Sequence, residues 1–498
     1  MSEAISTRDR GTEPVLSTAQ IRAREATFAD ADLMRRAGKA AASFLLTRTT
    51  RDARIVLFAG PGNNGGDALA CAAELAAAGY HPEIVMRGTP ETLPVDAQAA
   101  WLRILELPSG SFTIQHAVPT EAISADWIVD GLFGIGLKRP LDGAFSDAVR
   151  VIADARNAGA KVLALDAPSG IDADTGALVG EAVVAADFTL TFLALKPGLL
   201  TGPALDFVGE LHCDALGTEP EVAGSDIVAI QRSFIDAMLG RRAANAHKGL
   251  QGTCVIIGGA DGMLGAATLA SRAAMRCGAG KVKVGWLAEA APAMDANMPE
   301  VMMGSASDLV GSATTAMVIG CGLGVSGAAV RMLTVALRRD VPMVVDADAL
   351  NLIAQSAELA TLMQRRASST VITPHPAEAA RLLGCSTADV QRDRLRAAHG
   401  LAKGYRCVAV LKGAGTVVCD GITDSGSSIN RTGNALLATA GTGDVLAGMI
   451  GALLAQGFDA LMAARLGVCM HGAAADQLAA GGLKRMVASD LFESLARL

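Results

Sequence analysis

Short apolar runs alternate with alanine-rich segments of helical periodicity along most of the chain. In the first half the apolar runs lie at residues 54–58, 82–86, 127–129, 161–165 and 188–193. Helical spacing is found at residues 18–46, 68–78 and 147–158. This alternation predicts a mostly parallel sheet covered by helices, and ligands of such sheets bind where the strands end at their carboxyl edge.

A second alternating pattern follows a break in the chain. Residues 217–226 (GTEPEVAGSD) have the composition of a linker, and residues 227–239 have helical spacing. The later apolar runs lie at residues 254–257, 281–284, 316–319, 343–345, 370–372 and 407–411. The pattern therefore predicts two α/β domains, at residues 1–225 and 226–498.

Composition agrees with two layered α/β domains. The 498 residues exceed what one hydrophobic core usually holds, and 51% of them are hydrophobic while only 3% are aromatic. A net charge of -7 without a basic block argues against nucleic-acid and membrane-surface partners. We expect small-molecule substrates, and the large apolar content favours a homo-oligomer.

Cysteine usage and hydropathy bear on location. The nine cysteines occur singly, with no CxxC pair, which is typical of reduced thiols in a cytoplasmic protein. The first residues, MSEAISTRDRGTEP, are polar and do not resemble a signal peptide. The longest apolar stretch, residues 435–458, contains Asp444 and repeated glycines, so we do not expect it to span a membrane.

The first candidate site follows the first apolar strand, at residues 59–67 (AGPGNNGGD). Glycines let the backbone turn sharply and approach a ligand closely, and the following helix start favours an anion. A glycine-rich loop alone is equally often an ordinary strand-to-helix turn. Here Asn63, Asn64 and Asp67 add side-chain amides and oxygens at fixed positions, so we favour a binding site.

Two later strand ends add oxygen donors. Asp130 follows one apolar run in IVDGLFGIG, and Asp166 and Ser169 follow the next in LALDAPSG. Taken singly, such aspartates are more often turn formers or helix caps. Taken together with the asparagine-rich loop, they are the donors that suit a hard cation.

These N-terminal motifs resemble the NAD(P)H-hydrate epimerase family over residues 18–216. The match rests on LMRRAG, GPGNNGGDA, VDGLFGIG, LDAPSGIDADTG and ALKPGLLTGP. The resemblance implies a Rossmann-like three-layer domain, a potassium site at Asn64, Asp130 and Ser169, and Asp166 as catalytic acid–base group. It also implies that the hydrate is held by Asn63, Asn64, Gly65, Gly66, Asp67, Gly134, Ile135, Gly136, Leu137, Lys138, Arg139, Pro140 and Asp166. Two departures are Ala68, where the family usually has glycine, and Arg35, where an acidic residue is common.

The sharpest motif of the second half is AGTGDVLAG at residues 440–448. A glycine turn that enters a helix can neutralise charge on a phosphoryl group, and Asp444 is placed to accept a proton from a substrate hydroxyl. The alternative is a helix N-cap, worth about 1 kcal/mol. Lys412 ends another strand before a flexible loop, and it would otherwise be a solvated lysine beside a turn.

These C-terminal motifs resemble the ribokinase-like superfamily, and within it the ADP-dependent NAD(P)H-hydrate dehydratases, over residues 247–496. The match rests on HKGLQGTCVIIGGADGMLGAA, MPEVMM, IGCGLG, VVDADALN, ITPHPAEAARLLG, VLKGAGTVV and GTGDVLAG. The resemblance implies a three-layer α/β domain in which the adenine nucleotide contacts Lys412, Gly413, Ala414, Gly415, Thr416 and Gly443. Gly322, His375 and Asp444 would face the hydrate, with Mg²⁺ as an expected assistant. Residues 435–437 (ALL) depart from the usual Pro-Gly-Met.

The two resemblances together imply repair of hydrated NADH and NADPH. The N-terminal domain would interconvert the R and S hydrates, and the C-terminal domain would dehydrate the S epimer with ADP, giving AMP and phosphate. Two alternatives stay open. The C-terminal half has the features of a small-molecule kinase such as hydroxyethylthiazole kinase, and the N-terminal domain has those of a non-catalytic binding module.

Overall fold

The computed structural model describes residues 11–28, 32–119, 123–218, 225–240, 244–245, 247–423 and 425–498. The chain forms two compact units. One spans Pro14–Ser225, and the other contains Asp226–Leu498 together with the described residues up to Glu13. The second unit thus includes residues that lie before the first unit in sequence. Within the predicted linker, residues 219–224 lie outside the described part of the chain.

The first unit alternates strands and helices. Its elements are α1 (Thr18–Thr27), α2 (Leu33–Leu46), β2 (Ile55–Ala59), α3 (Asn63–Ala77), β3 (Glu83–Met86), α4 (Val95–Leu105), β4 (Thr113–Gln115), β5 (Trp127–Gly131), α5 (Gly143–Asn157), β6 (Lys161–Leu165), β7 (Phe188–Phe192), α6 (Leu205–Val208) and β8 (Glu210–Asp214). The preceding strand β1 (Thr12–Val15) spans the division between the units.

The seven strands of this unit form one parallel sheet in the order β4-β3-β2-β5-β6-β7-β8. Alternate residues of β2 face opposite layers. Leu57 packs with α2, α3 and α4, and Phe58 packs with α5. The strand order reverses between β2 and β5, and a ligand crevice is expected at such a reversal. The loops after β2 and β5 meet there.

The second unit is larger. Its elements are β9 (Ile227–Ile230), α7 (Ser233–Met238), β10 (Thr253–Gly258), α8 (Leu264–Arg276), β11 (Lys281–Trp286), β12 (Met302–Ser305), α9 (Ala306–Leu309), β13 (Ala316–Ile319), α10 (Gly327–Leu337), β14 (Met343–Val345), α11 (Ala347–Gln355), α12 (Ala357–Gln364), β15 (Thr370–Ile372), α13 (Pro376–Leu383), α14 (Thr387–Arg392), α15 (Arg394–Tyr405), β16 (Val408–Leu411), β17 (Val417–Asp420), β18 (Ser427–Asn430), α16 (Thr442–Ala455), α17 (Ala460–Ala480) and α18 (Leu491–Leu495).

These strands form a sheet in the order β9-β18-β17-β16-β15-β14-β13-β10-β11-β12, with β1 at the β9 edge. Pairing is parallel from β9 to β18 and from β16 to β12, whereas β17 runs antiparallel to both neighbours. One face packs against α8, α16 and α17, and α15 lies against β16 and β17. The order reverses between β13 and β10, again at the expected place for a ligand.

The α/β fold class predicted from the sequence is confirmed, and one local prediction is wrong. Residues 227–239 are not one helix, because Ile227–Ile230 pairs with Ser427–Asn430 as a strand before the short helix α7. The helical spacing of residues 18–46 corresponds to two helices, since α1 ends at Thr27 and α2 begins at Leu33. An apolar run as short as residues 227–230 suits either state, and its strand partner lies about 200 residues away in sequence.

Within the described residues, every helix is too short or too polar to cross a membrane.

Candidate active sites

The asparagine-rich loop is shaped by glycines that lie against neighbouring backbone. A Cβ atom on Gly60 would lie 1.8 Å from the Leu132 carbonyl oxygen, and one on Gly65 would lie 1.9 Å from that of Gly60. Larger residues cannot take these places without moving the main chain. The turn therefore brings the start of α3 directly beside the loop that follows β5.

A buried set of oxygen donors lies at this junction. Asp130 is fully buried, and its Oδ1 accepts a hydrogen bond from the Ser169 hydroxyl at 2.7 Å. Its Oδ2 accepts from the Ser169 amide at 2.8 Å. Asn64 is 7% exposed, yet neither its side-chain oxygen nor its nitrogen has a hydrogen-bond partner among the described residues. A buried amide without a partner in a native fold indicates an absent water or ion.

The electrostatics of Asp130 would favour a neighbouring cation. Burial raises the pKa of Asp130 to about 6, although hydrogen bonds from Ser169 and Leu132 act in the opposite direction. A cation beside this carboxylate would compensate the cost of burying its charge. The carboxylate, hydroxyl and amide oxygens are hard ligands, so the residues present fit a potassium ion.

Asp166 is held in an unusual backbone conformation and paired with a buried lysine. It follows β6 with a φ of 63°, in the left-handed region that a non-glycine residue rarely adopts. Lys196 is fully buried, and its Nζ lies 2.5 Å from Asp166 Oδ1. The same ammonium donates to Thr191 Oγ1 at 2.7 Å and to the Phe192 carbonyl at 2.6 Å. All three donors of Lys196 are thus used, and its charge faces Asp166.

Asp166 opens onto a cavity of about 530 Å³, a size typical of sites for small molecules. The Cβ position of Gly134 lies 3.0 Å from Asp166 Oδ2, so glycine lets this loop pass over the carboxylate. Of the residues proposed to hold the hydrate, those that line the cavity are Asn63, Asn64, Asp67, Gly134, Ile135, Gly136, Leu137 and Asp166. Those that do not line it are Gly65, Gly66, Lys138, Arg139 and Pro140.

The residues outside the cavity wall have other contacts. Gly65 shapes the loop, and Lys138 is exposed with its Nζ 3.4 Å from Asp172. The two departures from the family pattern are accommodated by their surroundings. Ala68 packs beneath Gly131, where a Cβ would lie 2.5 Å from that of Ala68, and Arg35 lies 3.9 Å from Glu74 on the surface.

The second candidate site begins at the start of α16. Gly441 precedes the helix with a φ of 89°, and Asp444 lies in its first turn. Burial raises the pKa of Asp444 to about 6, and the neighbouring Asp346 raises it further, while the Cys321 thiol and Lys412 lower it. A carboxyl group with this pKa is ionised at neutral pH and can still take up a proton, as a general base must.

A partly buried lysine lies among three acidic side chains of this site. Lys412 follows β16, and its Nζ lies 2.9 Å from Asp346 Oδ1 and 4.0 Å from Glu378 Oε2. Burial acts to lower the pKa of Lys412, but Asp346 and Glu378 outweigh it, so the net shift is upward. The Cβ position of Gly443 lies 3.2 Å from the same Nζ. The structure thus brings Lys412, Gly443 and Asp444 together, as the sequence motifs require.

His375 is fixed at the start of α13. Its Nδ1 accepts hydrogen bonds from the amides of Ala377 and Glu378 at 3.1 and 3.3 Å. In the neutral ring the proton is therefore on Nε2, which lies 3.3 Å from Glu378 Oε1. Burial and the charge of Lys412 lower the pKa of His375. Gly322 has a φ of 59°, and a Cβ there would lie 2.5 Å from the Met263 carbonyl.

The loop after β16 is supported by a buried arginine that bonds to its main chain. Arg394 is 1% exposed and donates to the carbonyl oxygens of Leu411 and Lys412, both at 3.1 Å. Gly413 has a φ of 125°, and its Cβ position lies 3.2 Å from the Arg394 guanidinium. Thr416 donates to the Gly413 carbonyl at 3.0 Å and closes the loop. The segment of residues 412–416 is thus a defined turn beside Gly443.

The loop that departs from Pro-Gly-Met is anchored by hydrogen bonds instead. Asp476 on α17 accepts from the Gly433 amide and from the Asn434 side chain, each at 2.8 Å. Asn434 also accepts from the Leu436 amide at 3.0 Å. Thr442 donates to the Leu437 carbonyl at 3.0 Å, which ties the loop to the start of α16. The loop is therefore positioned without the rigidity of proline.

Four residues near the sites have no role assigned from the sequence. They are Lys196, Cys321, Asp346 and Glu378. Each lies in a motif that carries a family resemblance, namely ALKPGLLTGP, IGCGLG, VVDADALN and ITPHPAEAARLLG. In the sequence, each of these residues is a charged or thiol group at the end of an apolar strand or inside a Gly- or Pro-rich segment, and this feature could have identified it.

Family models match both halves of the chain. One described as NAD(P)H-hydrate dehydratase matches residues 254–497, and one described as YjeF-related protein N-terminus matches residues 30–198. A crystal structure of the ADP/ATP-dependent NAD(P)H-hydrate dehydratase from Bacillus subtilis is 30% identical. It covers 54% of this chain and 95% of its own, with a TM-score of 0.47.

Relatives of the full length are also found. The bifunctional NAD(P)H-hydrate repair enzyme Nnr of Escherichia coli is 42% identical over 94% of this chain and 89% of its own. Its counterpart in Coxiella burnetii is 38% identical over 95% of each chain. The resemblance inferred from the motifs is confirmed, and this chain belongs to the family of bifunctional NAD(P)H-hydrate repair enzymes.

Proposed function

We propose that the Pro14–Ser225 unit interconverts the R and S hydrates of NADH and NADPH and that the second unit dehydrates the S epimer. The observation that carries this proposal is the presence of two separate sites, each with a strand-end or helix-start carboxylate beside a lysine that is buried or partly buried. The dehydratase site alone would leave the R epimer unrepaired, and the epimerase site alone would repair neither epimer. A chain with both returns a mixed pool to the reduced cofactor.

In the epimerase site, Asp166 is the acid–base group at the reacting carbon. The hydrate carries a hydroxyl on C6, next to the ring nitrogen, whose lone pair helps expel it. Lys196 fixes one carboxylate oxygen of Asp166, and the other lies beneath the Gly134 loop toward the cavity. The glycine loops hold the ring and limit access of bulk water. A potassium ion would be held by Asn64, Asp130 and Ser169, where it supplies positive charge that fixes these loops.

In the dehydratase site, Asp444 accepts the proton of the C6 hydroxyl while that oxygen attacks a phosphoryl group of ADP. The turn before α16 and Lys412 stabilise the negative charge that develops there. Phosphate then leaves in place of hydroxide, and loss of the C5 proton restores the double bond. Residues 412–416 and Gly443 hold the nucleotide, and Gly322 and His375 face the hydrate.

Magnesium is expected to enter with the nucleotide and not to be held by a protein cage. Cys321, Asp346 and Asp444 have ligand atoms within 4.8 Å of one another. However, Lys412 occupies Asp346 Oδ1 at 2.9 Å, and a thiol is a poor ligand for Mg²⁺. This donor set does not fit Mg²⁺, which usually keeps several waters and binds substrate phosphates.

We also propose a cytoplasmic location and a homo-oligomeric state. All nine cysteines are free, which suits a reducing compartment. The helix α4 exposes Val95, Leu102 and Leu105, whose apolar surface would be covered in an assembly. Light scattering of the purified protein tests the second point, and a monomer at micromolar concentration would contradict it.

The activity is tested by recovery of the reduced-nicotinamide absorbance from a mixture of R and S NADH hydrate. We expect full recovery with ADP and potassium, none without ADP, and faster epimerisation with potassium than with sodium. Recovery of only the S fraction would remove the epimerase assignment. No recovery with either ADP or ATP would favour a small-molecule kinase.

A further inference from the structure

A second carboxyl group reaches the epimerase cavity from α1. Ile21, Arg22, Glu25 and Phe28 all line the cavity, and their spacing places them on one side of the helix. The Glu25 side chain is half-buried, and it has no ion pair or hydrogen-bond partner among the described residues. A carboxyl group in this position is open to contact with a ligand of the cavity.

The position of α1 relative to Asp166 is set by one short loop. Gly134 lies over Asp166 Oδ2, with its Cβ position 3.0 Å away. Two residues later, the Cβ position of Gly136 lies 3.7 Å from the Arg22 guanidinium. Two residues span at most about 7 Å of chain, which is close to the width of a six-membered ring with its substituents. Glu25 and Asp166 both line this cavity, so a ring bound there can lie between them.

Burial and neighbouring charges shift the pKa values of Glu25 and of the carboxyl group of Asp67 beside it. Burial raises the pKa of Glu25, and the nearby Asp166 and Asp96 raise it further, while Lys196 and Arg22 lower it. Asp67 also faces this group, and burial together with Asp166 and Glu25 raises the pKa of Asp67 well above its usual range. The Lys196 ammonium lies on Asp166 at 2.5 Å. The cavity thus combines an ion-paired carboxylate with a second carboxyl group whose pKa is raised.

We propose that Glu25 is a second catalytic acid–base group of the epimerase site, acting on the face of the nicotinamide ring opposite Asp166. This proposal rests on the epimerase function proposed above. Inversion at C6 requires one group to protonate the departing hydroxyl and another to take a proton from the incoming water. A single carboxylate serves only one face of the ring.

The proposed step balances in atoms and electrons. In one direction Glu25 gives its proton to the C6 hydroxyl, the C6–O bond breaks, and water leaves as the nitrogen lone pair forms the C6=N bond. Water on the opposite face then forms the new C6–O bond, the π electrons return to nitrogen, and Asp166 takes the surplus proton. The reverse reaction begins with Glu25 ionised and Asp166 protonated. Each inversion therefore exchanges the C6 oxygen with solvent.

The test follows R–S interconversion chromatographically without ADP, so that the dehydratase is silent. Glu25→Gln removes the transferable proton, and we expect the interconversion rate to fall by about a hundredfold or more. The same change at the exposed Glu106, Glu106→Gln, is the matched control and should leave the rate unchanged. Glu25→Asp, which keeps the acid, should restore part of the rate. An unchanged urea-unfolding midpoint of the Pro14–Ser225 unit shows that Glu25→Gln has folded.

Two results would overturn the proposal. One is a Glu25→Gln rate within about threefold of wild type, a loss too small for an acid–base residue. The other is inversion in ¹⁸O-labelled water without uptake of label at C6, which would indicate ring opening. If the wild-type protein itself does not interconvert the epimers, the proposed epimerase function fails instead, so the two failures are distinguishable.

Discussion

In each unit a lysine contacts an aspartate at a strand end, but the role proposed for that aspartate differs between the two units. In the first unit Lys196 contacts Asp166, the proposed acid–base residue itself, at 2.5 Å. In the second unit Lys412 contacts Asp346 at 2.9 Å, and the proposed base Asp444 lies beside this pair. The two sites thus have similar components in a different order.

This difference matches the chemistry that each site performs. Asp166 has a positive charge directly beside one oxygen, and the same contact with Lys196 fixes its position. Asp444 has no such contact, and burial together with Asp346 raises its pKa to about 6. A base that must accept a hydroxyl proton benefits from that higher pKa, and it still remains ionised at neutral pH.

The largest expected effect is that of replacing Asp444, the proposed base of the dehydratase. Asp444→Asn should lower dehydratase turnover by about 10³-fold, because the substrate hydroxyl loses its proton acceptor. Epimerisation should be unchanged, since Asp166 lies in the other unit. Steady-state dehydration of the pure S hydrate measures the effect. The surface variant Asp236→Asn is the control, with its side chain 77% exposed. Comparable loss in both variants would contradict the assignment.

The next prediction concerns the stability contributed by the lysines. Lys196→Met leaves Asp166 as an uncompensated charge at a site where the two side chains are 0% and 14% exposed. We expect the free energy of unfolding of this unit to fall by about 3–5 kcal/mol. Lys196→Met/Asp166→Asn should recover part of that loss because the buried charge is removed. Urea unfolding, monitored with Trp127 in this unit, checks it; an unchanged midpoint would contradict the pairing.

A smaller effect separates Asp346 from Asp444. Asp346 raises the pKa of Asp444, so Asp346→Asn should move that pKa below its wild-type value of about 6. Since Asp444 must be ionised to act, activity is lost as the pH falls through its pKa. The acid limb of the kcat/KM profile for dehydration should therefore move to lower pH in the variant. A limb that stays in place, or moves upward, would show that Asp346 does not act on Asp444.

The smallest expected effect is at the loop of residues 433–437. Asp476→Asn keeps the shape of the side chain but weakens the bonds from Gly433 and Asn434, each 2.8 Å long. We expect this change to cost about 1.4 kcal/mol of transition-state stabilisation, which corresponds to a tenfold lower kcat/KM for dehydration. Epimerisation should not change. Replacing residues 435–437 by Pro-Gly-Met in the same variant should restore activity if loop position is the cause.

The sequence predicts the fold class and most strands because apolar periodicity and glycine turns are local signals. It points to Asp166 because that residue follows a buried strand, and to Asp444 because that residue lies at a helix start in a glycine-rich motif. It does not predict that Lys196 lies on Asp166, because the two residues are 30 positions apart in sequence. Glu25 has no motif at all, and its role depends on how α1 lies against the Gly136 loop.

The strands that the sequence does not predict also depend on contacts between residues that are distant in the chain. Residues 227–230 are apolar enough for a helix or a strand, and pairing with Ser427–Asn430 decides between them. The antiparallel strand β17 was also not predicted as a separate strand, since VVCD is short and no alternation extends it. Long-range pairing, which no local pattern contains, determines these elements.

The most direct test of the division of labour is complementation between two inactive forms. A mixture of R and S NADH hydrate is incubated with ADP, potassium, and either Asp166→Ala, Asp444→Asn, or both proteins together. We predict that Asp166→Ala recovers only the S fraction, that Asp444→Asn recovers none, and that the mixture recovers all of the reduced cofactor. Full recovery by Asp166→Ala alone, beyond the spontaneous rate, would contradict the role of Asp166. Recovery by Asp444→Asn alone would contradict the role of Asp444.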